Sequence, residues 1–284
     1  MDLFVSPALL FTPGNKPERF AKALSSGANG LILELEDAVP PDEKSQARDN
    51  VIQFLEKNHR SRMGIIVRIN HITSDAGLAD LLALQQHNIH CDAILYPKSE
   101  SAEELKIIYE ALHLEARKIK LLALIETAKG LQNINSIVTR SPVNGLVFGA
   151  ADFAADVGCG MGWEALLYPR CQLIQAAALN HIAAIDSPFF DFANEKQLIS
   201  EVLKVKELGF KGKLAIHPKQ IDPIKQNFAP SSEQIERARK IIAIYQQAGG
   251  KACQYEGQMI DIPVYKHAQQ ILQLSENLKG NEHG

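Results

Sequence analysis

Three features of the sequence predict an α/β chain folded as a (β/α)8 TIM barrel with a small C-terminal cap segment. Eight short apolar runs rich in Leu, Ile and Val recur along the chain, amphipathic stretches separate them, and polar or ionisable residues stand at the end of each run. The runs are Ala8–Phe11, Gly30–Leu35, Gly64–Ile69, Asp92–Tyr96, Lys120–Ile125, Gly145–Phe148, His181–Ile185 and Lys213–Ile216. Most lack alternation of apolar and polar residues, as parallel strands covered on both faces do. Between them the apolar positions keep a helical period: Leu105, Ile108 and Leu112 on one stretch, and Leu198, Val202 and Val205 on another. Eight such units at roughly 30 residues each fill the roughly 250 residues of a barrel and leave some of the 284 over. An open doubly wound sheet is the rival architecture, but no G-x-G-x-x-G follows the first run. Gly158, Gly160 and Gly162 have the wrong spacing for that motif and read as a loop or lid near Asp152.

The barrel is expected over residues 1–222, with the functional rim, and a cap over 223–284 packing on the barrel or on a neighbouring subunit. In the cap, Ile235, Ala238, Ile241, Ile242 and Tyr245 give one helix, ended by Gly249-Gly250. An extended piece turning at Glu256-Gly257 follows, then a helix opened by Pro263, and a frayed tail from Lys279.

Net charge is −3, which speaks against a general nucleic-acid or membrane surface. The four cysteines form no C-x-x-C pair and have no zinc-like spacing with histidine; they are expected to be reduced thiols. No run approaches the roughly 20 apolar residues of a membrane span. A soluble cytoplasmic protein is the expectation.

The residues ending the runs carry the chemistry. They are Thr12-Pro13-Gly14-Asn15, Glu36-Asp37, Arg68-Ile69-Asn70, Pro97-Lys98, Glu126-Thr127, Gly149-Ala150-Ala151-Asp152, Asp186 and His217-Pro218. All are expected on the C-terminal rim, where barrel enzymes place their sites. Glu126 and Asp152 suit two carboxylate ligands of Mg²⁺. Equally, Glu126 could pair with Arg68 or Lys98, and Asp152 could cap the following helix. The small residues Gly149, Ala150 and Ala151 would let backbone N–H groups approach a substrate carboxylate. Arg68 could neutralise an enolate or hold a carboxylate, or serve a structural salt bridge. Lys16, Arg19 and Lys22 make either a phosphate site or a solvated helix face.

These pieces, in order, resemble the CitE-like group of the HpcH/HpaI aldolase and citrate lyase superfamily. The matching segments are Leu10-Phe11-Thr12-Pro13-Gly14-Asn15, Leu33-Glu34-Leu35-Glu36-Asp37-Ala38-Val39, Val67-Arg68-Ile69-Asn70, Tyr96-Pro97-Lys98-Ser99-Glu100, Ile125-Glu126-Thr127, Gly149-Ala150-Ala151-Asp152-Phe153, Ala215-Ile216-His217-Pro218 and Gly257-Gln258-Met259-Ile260-Asp261-Ile262-Pro263-Val264. The resemblance implies a Mg²⁺-dependent carbon–carbon lyase acting on a 3-hydroxyacyl-CoA such as malyl-CoA or citramalyl-CoA. It implies Glu126 and Asp152 as metal ligands and Arg68 at the reacting centre. Phe11, Lys16 and Lys22 would contact CoA, and Glu36 and Asp37 would form an acidic network. Asp261 would be the acid/base, contributed by a neighbouring subunit of a homotrimer or homohexamer. A citrate lyase β subunit working on a carrier-protein thioester, a malyl-CoA thioesterase and an aldolase on free carbonyl compounds are the alternatives. One departure is Glu34, where the family commonly has Asp.

Overall fold

The computed structural model describes residues 1–57 and 63–283. They divide into two compact units, Met1–Lys225 and Gln226–Gly284.

The first unit is a closed barrel of eight parallel strands: β1 (Ala8–Pro13), β2 (Gly30–Glu34), β3 (Gly64–Arg68), β4 (Ala93–Tyr96), β5 (Lys120–Ile125), β6 (Gly145–Phe148), β7 (Ala183–Asp186) and β8 (Gly212–Ala215). Each pairs with its successor, and β8 closes on β1. Every residue of β2, β3, β4, β6, β7 and β8 is buried, which is why those runs are apolar without alternation. Every second residue points into the barrel. Leu9, Ile32, Ile66, Ala93, Leu95, Leu122, Leu124, Val147, Ala183, Ile185 and Leu214 fill it, joined by Leu3 from the chain start. No helix among the described residues is long and apolar enough to cross a membrane.

The outward-facing residues meet the helical layer, and there one expectation is corrected. Asp186 does not join the functional rim. Its neighbour Ile185 takes the inward position, so Asp186 turns outward and is fully buried. There it accepts hydrogen bonds from Arg170 Nε at 2.8 Å and Lys213 Nζ at 2.6 Å, and Lys213 also reaches Glu201 at 2.6 Å. Burial works against the charge on Asp186, but Lys213 and Arg170 together hold its pKa below the ordinary carboxylate range. Arg170 also lies over the rings of Phe148 and Trp163, at 5.4 and 5.0 Å.

The second unit packs the helix Ser232–Gln247 against the helix Ile262–His283. A two-stranded hairpin, β9 (Cys253–Tyr255) and β10 (Gln258–Ile260), completes it. Ala238, Ile241, Tyr245, Ile260 and Ala268 form its core. Ser231 and Gln234 make a reciprocal capping box, and Gly249 and Gly250, both at positive φ, follow the first helix. The last helix starts at Ile262, one residue before Pro263, and its backbone continues to His283 where a tail from Lys279 was expected. No proline follows Pro263 in that helix.

Replacing Lys213 by Met should cost about 3–5 kcal/mol of stability, because it leaves Asp186 buried with an uncompensated share of its charge. Urea denaturation of the variant against the parent near neutral pH measures this. A cost below about 1 kcal/mol would show that Arg170 suffices alone.

Candidate active site

The inward alternation of the barrel strands continues past the core to the C-terminal rim, and it selects the side chains there. Phe11 lies two residues beyond Leu9, Glu34 beyond Ile32, Arg68 beyond Ile66, Glu126 beyond Leu124, Gly149 beyond Val147 and Ile216 beyond Leu214. All six line one pocket of about 830 Å³ at the mouth of the barrel. That volume is ample for a small ligand or part of a longer one. Asp37, Ala150, Ala151 and Asp152 line it as well. Arg19, Lys22 and Ala23 join from the helical segment after β1, and Pro188, Phe190, His217 and Pro218 from the loops after β7 and β8.

Arg68 is the hub. Its Nε lies 2.5 Å from Glu34 Oε2, its Nη1 is 3.1 Å from Glu36 Oε2, and its Nη2 is 3.7 Å from Asp37 Oδ2. The guanidinium rests over the Phe11 ring at 5.0 Å. Burial works against its charge, but Glu34, Glu36 and Glu126 outweigh burial and raise its pKa. Glu34 also accepts the backbone N–H of Glu36, which ties the turn after β2 to the strand end. Lys44 holds that turn from outside, donating to the carbonyls of Leu35 and Glu36 at 3.0 and 2.8 Å and to Asn70 Oδ1 at 2.6 Å.

Glu126 is 1 % exposed. Its Oε1 accepts the backbone N–H of Lys98 at 2.8 Å, while the Lys98 ammonium turns away to Glu36 Oε1 at 2.5 Å. The expected alternative, an ion pair between Glu126 and Lys98 or Arg68, does not form; the ammonium and the guanidinium both go to Glu36. Burial, and next the charge of Glu36, push the Glu126 pKa well above the usual carboxylate range. Gly149 covers this carboxyl so closely that an added Cβ would overlap Glu126 Oε2. That is a packing reason for glycine there beyond any contact with substrate.

Asp152 lies in the first turn of the helix Ala150–Val157, whose N-cap is Gly149 with no side-chain cap bond. Asp152 therefore does not cap the helix, and its carboxylate takes no hydrogen bond or ion pair among the described residues. Gly158, at φ +72°, ends this helix, and Gly162 caps the next one, Trp163–Leu179.

Glu126 and Asp152 fit a divalent cation. Both present hard oxygen donors to the same pocket. Glu34, Glu36, Asp37, Glu126 and Asp152 bring more negative charge than Arg68 and Lys98 beside them can offset. Two protein carboxylates with the remaining positions left to water and substrate oxygens is an ordinary Mg²⁺ environment. Among the described residues no three His, Cys, Asp or Glu side chains form a complete cage.

The remaining expected residues distribute unevenly. Phe11, Lys22, Gly149, Ala150 and Ala151 line the pocket, whereas Lys16 does not, and Arg19 stands in its place among the basic residues. Glu36 lies behind the lining, between Arg68 and Lys98. Asp261 belongs to the second unit, where its Oδ1 accepts the N–H of Val264 at the start of the last helix. Glu34's grip on Arg68, the Lys98 backbone contact and the apolar side formed by Phe190 and Ile216 were not part of the sequence reading. The inward phase of β2 was the available signal for Glu34; loop residues such as Phe190 carry no periodicity to read.

Comparison with known proteins places this geometry among relatives. A family model described as HpcH/HpaI aldolase/citrate lyase matches residues 8–218. The chain is 32% identical over 292 residues to the mitochondrial citramalyl-CoA lyase of Rattus norvegicus, covering 96% of this chain and 86% of that protein. It is 30% identical over 300 residues to the L-malyl-CoA/beta-methylmalyl-CoA lyase of Rhodobacter capsulatus, covering 95% and 94%. The structure of CitE from Mycobacterium tuberculosis in complex with magnesium, acetoacetate and coenzyme A superposes with a TM-score of 0.83 at 30% identity, covering 96% of this chain and 98% of that one.

Glu34 sets a pH dependence. Burial pushes its pKa up to about 7, against the opposing attraction of Arg68. A carboxyl that binds its proton more tightly folded than unfolded stabilises the fold fully below its unfolded pKa. It loses that contribution as pH rises through the folded value. The protein should therefore lose stability between about pH 5 and 8, and Glu34→Gln should remove about 3 kcal/mol of that loss. Urea midpoints at the two ends of this range test it, and parallel slopes would exclude Glu34 as the responsible group.

Proposed function

The chain belongs to the HpcH/HpaI aldolase/citrate lyase family and is a carbon–carbon lyase, and from that premise we propose that it cleaves a 3-hydroxyacyl-CoA of the citramalyl-CoA or malyl-CoA type in a Mg²⁺-dependent reaction. The products would be acetyl-CoA and pyruvate or glyoxylate. The observation that carries this reading is the composition of the pocket: Glu126, Asp152 and Arg68 share one cavity with Arg19 and Lys22. The first group suits a hydroxy acid and the reacting carbonyl, and the second suits phosphates of a nucleotide-bearing thioester. The magnesium, acetoacetate and coenzyme A found with the M. tuberculosis protein support the same assignment.

Glu126 and Asp152 would hold the metal. Bound there, Mg²⁺ would supply Lewis-acid polarisation of the hydroxy-acid oxygens and favour loss of the hydroxyl proton. Arg68 offers its guanidinium to the thioester oxygen, which gains negative charge as the carbon–carbon bond breaks. Because Glu34, Glu36 and Asp37 fix it from behind, the guanidinium needs little reorganisation when that charge develops. Asp261, supplied by a neighbouring copy, would protonate the enolate carbon to complete acetyl-CoA. Lys22 and Arg19 would hold the nucleotide end, and the helix start at Gly149–Ala151 would receive the substrate carboxylate.

The direct test is incubation of citramalyl-CoA and malyl-CoA with the protein, with Mg²⁺ or with EDTA, following free pyruvate and glyoxylate. Mg²⁺-dependent release from one of them supports the reading and names the substrate. Release from neither, with release from a carrier-protein thioester, would move the assignment to a citrate lyase β subunit. Asp152→Ala should lower turnover by at least about 100-fold, equivalent to about 2.7 kcal/mol in the barrier. Retention of near-parental rates by this variant would remove Asp152 from the metal site. Asp261→Ala should keep Mg²⁺ and keto-acid binding but lose exchange of the acetyl protons of acetyl-CoA with solvent, measured by NMR in deuterated buffer.

A further inference from the structure

We infer that Lys98 is a positioning residue of this site, a role resting on the Mg²⁺-dependent lyase reading above. Its backbone N–H orients Glu126, and its ammonium takes up charge on Glu36 so that Arg68 keeps a positive face toward the substrate. Three observations converge on it.

First, Lys98 occupies the left-handed region at φ +44°. A lysine there is strained, and glycine would carry no such cost. In this conformation the peptide N–H after β4 points across to Glu126 Oε1, at 2.8 Å. The following residue, Ser99, donates its own N–H to the Leu124 carbonyl on β5, which locks the turn against the strand that bears Glu126.

Second, the side chain does work that glycine could not. Its ammonium is 2.5 Å from Glu36 Oε1 and 3.9 Å from Asp37 Oδ1. Glu36 is thereby shared between Lys98 on one oxygen and Arg68, at 3.1 Å, on the other.

Third, the charge count around Arg68 requires such a partner. Glu34, Glu36 and Asp37 all lie within ion-pair distance of one guanidinium. Left to themselves they would over-neutralise it and weaken its attraction for a developing enolate. With Lys98 sharing Glu36 and Asp37, part of the Arg68 charge remains available to the pocket.

This role predicts opposite signs for two measurements. Deleting the ammonium removes a positive charge beside the proposed cation site, so a divalent cation should bind as tightly as before or more tightly. The same deletion should weaken stabilisation of the enolate. The experiment compares the parent with Lys98→Met, which keeps the stem, and Lys98→Gly, which keeps the N–H and accepts positive φ. Mn²⁺ is titrated into each protein by isothermal calorimetry, and kcat and KM are measured for cleavage of the substrate identified above. For both variants kcat should fall by at least about 30-fold with KM changed by less than about 3-fold, while the Mn²⁺ dissociation constant stays equal or decreases. Agreement of the two variants separates the role of the ammonium from backbone strain. If Mn²⁺ affinity and kcat fall together, Lys98 merely maintains the structure and the inference is overturned; so it is if kcat is retained. Absence of Mg²⁺-dependent cleavage by the parent protein would instead overturn the lyase reading, and this inference with it.

Discussion

A guanidinium buried at the top of a closed barrel cannot stand alone, because the charge of Arg68 has lost most of its water and must be repaid by carboxylates close at hand. Much of the rim follows from that requirement. Glu34 reaches it from the same inward row of the neighbouring strand, Glu36 and Asp37 come from the turn immediately beyond, and the turn itself is held by Lys44 and Asn70. Glu36 then needs a second cation, and Lys98 supplies it from the end of β4. Each charge is in place because the previous one would be costly without it. Alternation of inward and outward residues limits which positions can take part.

That alternation also explains how much of the site was legible in the sequence. The pairs Ile32-x-Glu34, Ile66-x-Arg68, Leu124-x-Glu126 and Val147-x-Gly149 stand in the chain as an apolar residue with a polar or small one two places on. Once the runs are read as barrel strands, the second member of each must face the pocket. The eight runs were visible for the same reason: strands covered on both faces are apolar along most of their length, and Lys213 within β8 is tolerated there with Asp186 and Glu201 as its partners. Asp186 shows where this reading fails. It too ends a strand, but on the outward phase, and so belongs to a buried ion network with Lys213 and Arg170 rather than to the rim. Counting polar strand ends overlooked the phase that decides which way each one points.

Other features were not legible because they depend on contacts between distant segments. Nothing local to Pro97-Lys98 indicates that the lysine will adopt a left-handed conformation; only the need to bring its N–H to Glu126, 28 residues later, accounts for it. Nor does the Lys16–Lys22 segment reveal which of its cations face the pocket. The short 3-10 turn Pro17–Arg19 and the helix Phe20–Leu24 after it present Arg19 and Lys22 there and leave Lys16 outside the lining. Gly149 resembles a ligand-binding glycine in sequence, yet its first constraint is the Glu126 side chain beneath it.

Burial therefore disfavours the charged forms of two acids in this site. Glu34 and Glu126 are both pushed toward their protonated forms, by burial first and by neighbouring acids after that. A proton balances the charge of Glu126 when it is the neutral acid, and a divalent cation held there would replace that proton. Binding of the metal and loss of a proton would then be one linked event, since a ligating carboxylate must be ionised. The same burial that makes Glu126 reluctant to ionise makes an ionised Glu126 a strong partner for a cation, because little water competes for its oxygens. Arg68 experiences the converse. Its charge is secured by the acids behind it, and in the proposed reaction its effect on a substrate would depend on how incompletely those acids cancel it. A barrel mouth that holds acids and bases this close together can separate the two tasks only through geometry: Glu126 turned by a peptide N–H, Arg68 pinned at three nitrogens, and Glu36 divided between two cations.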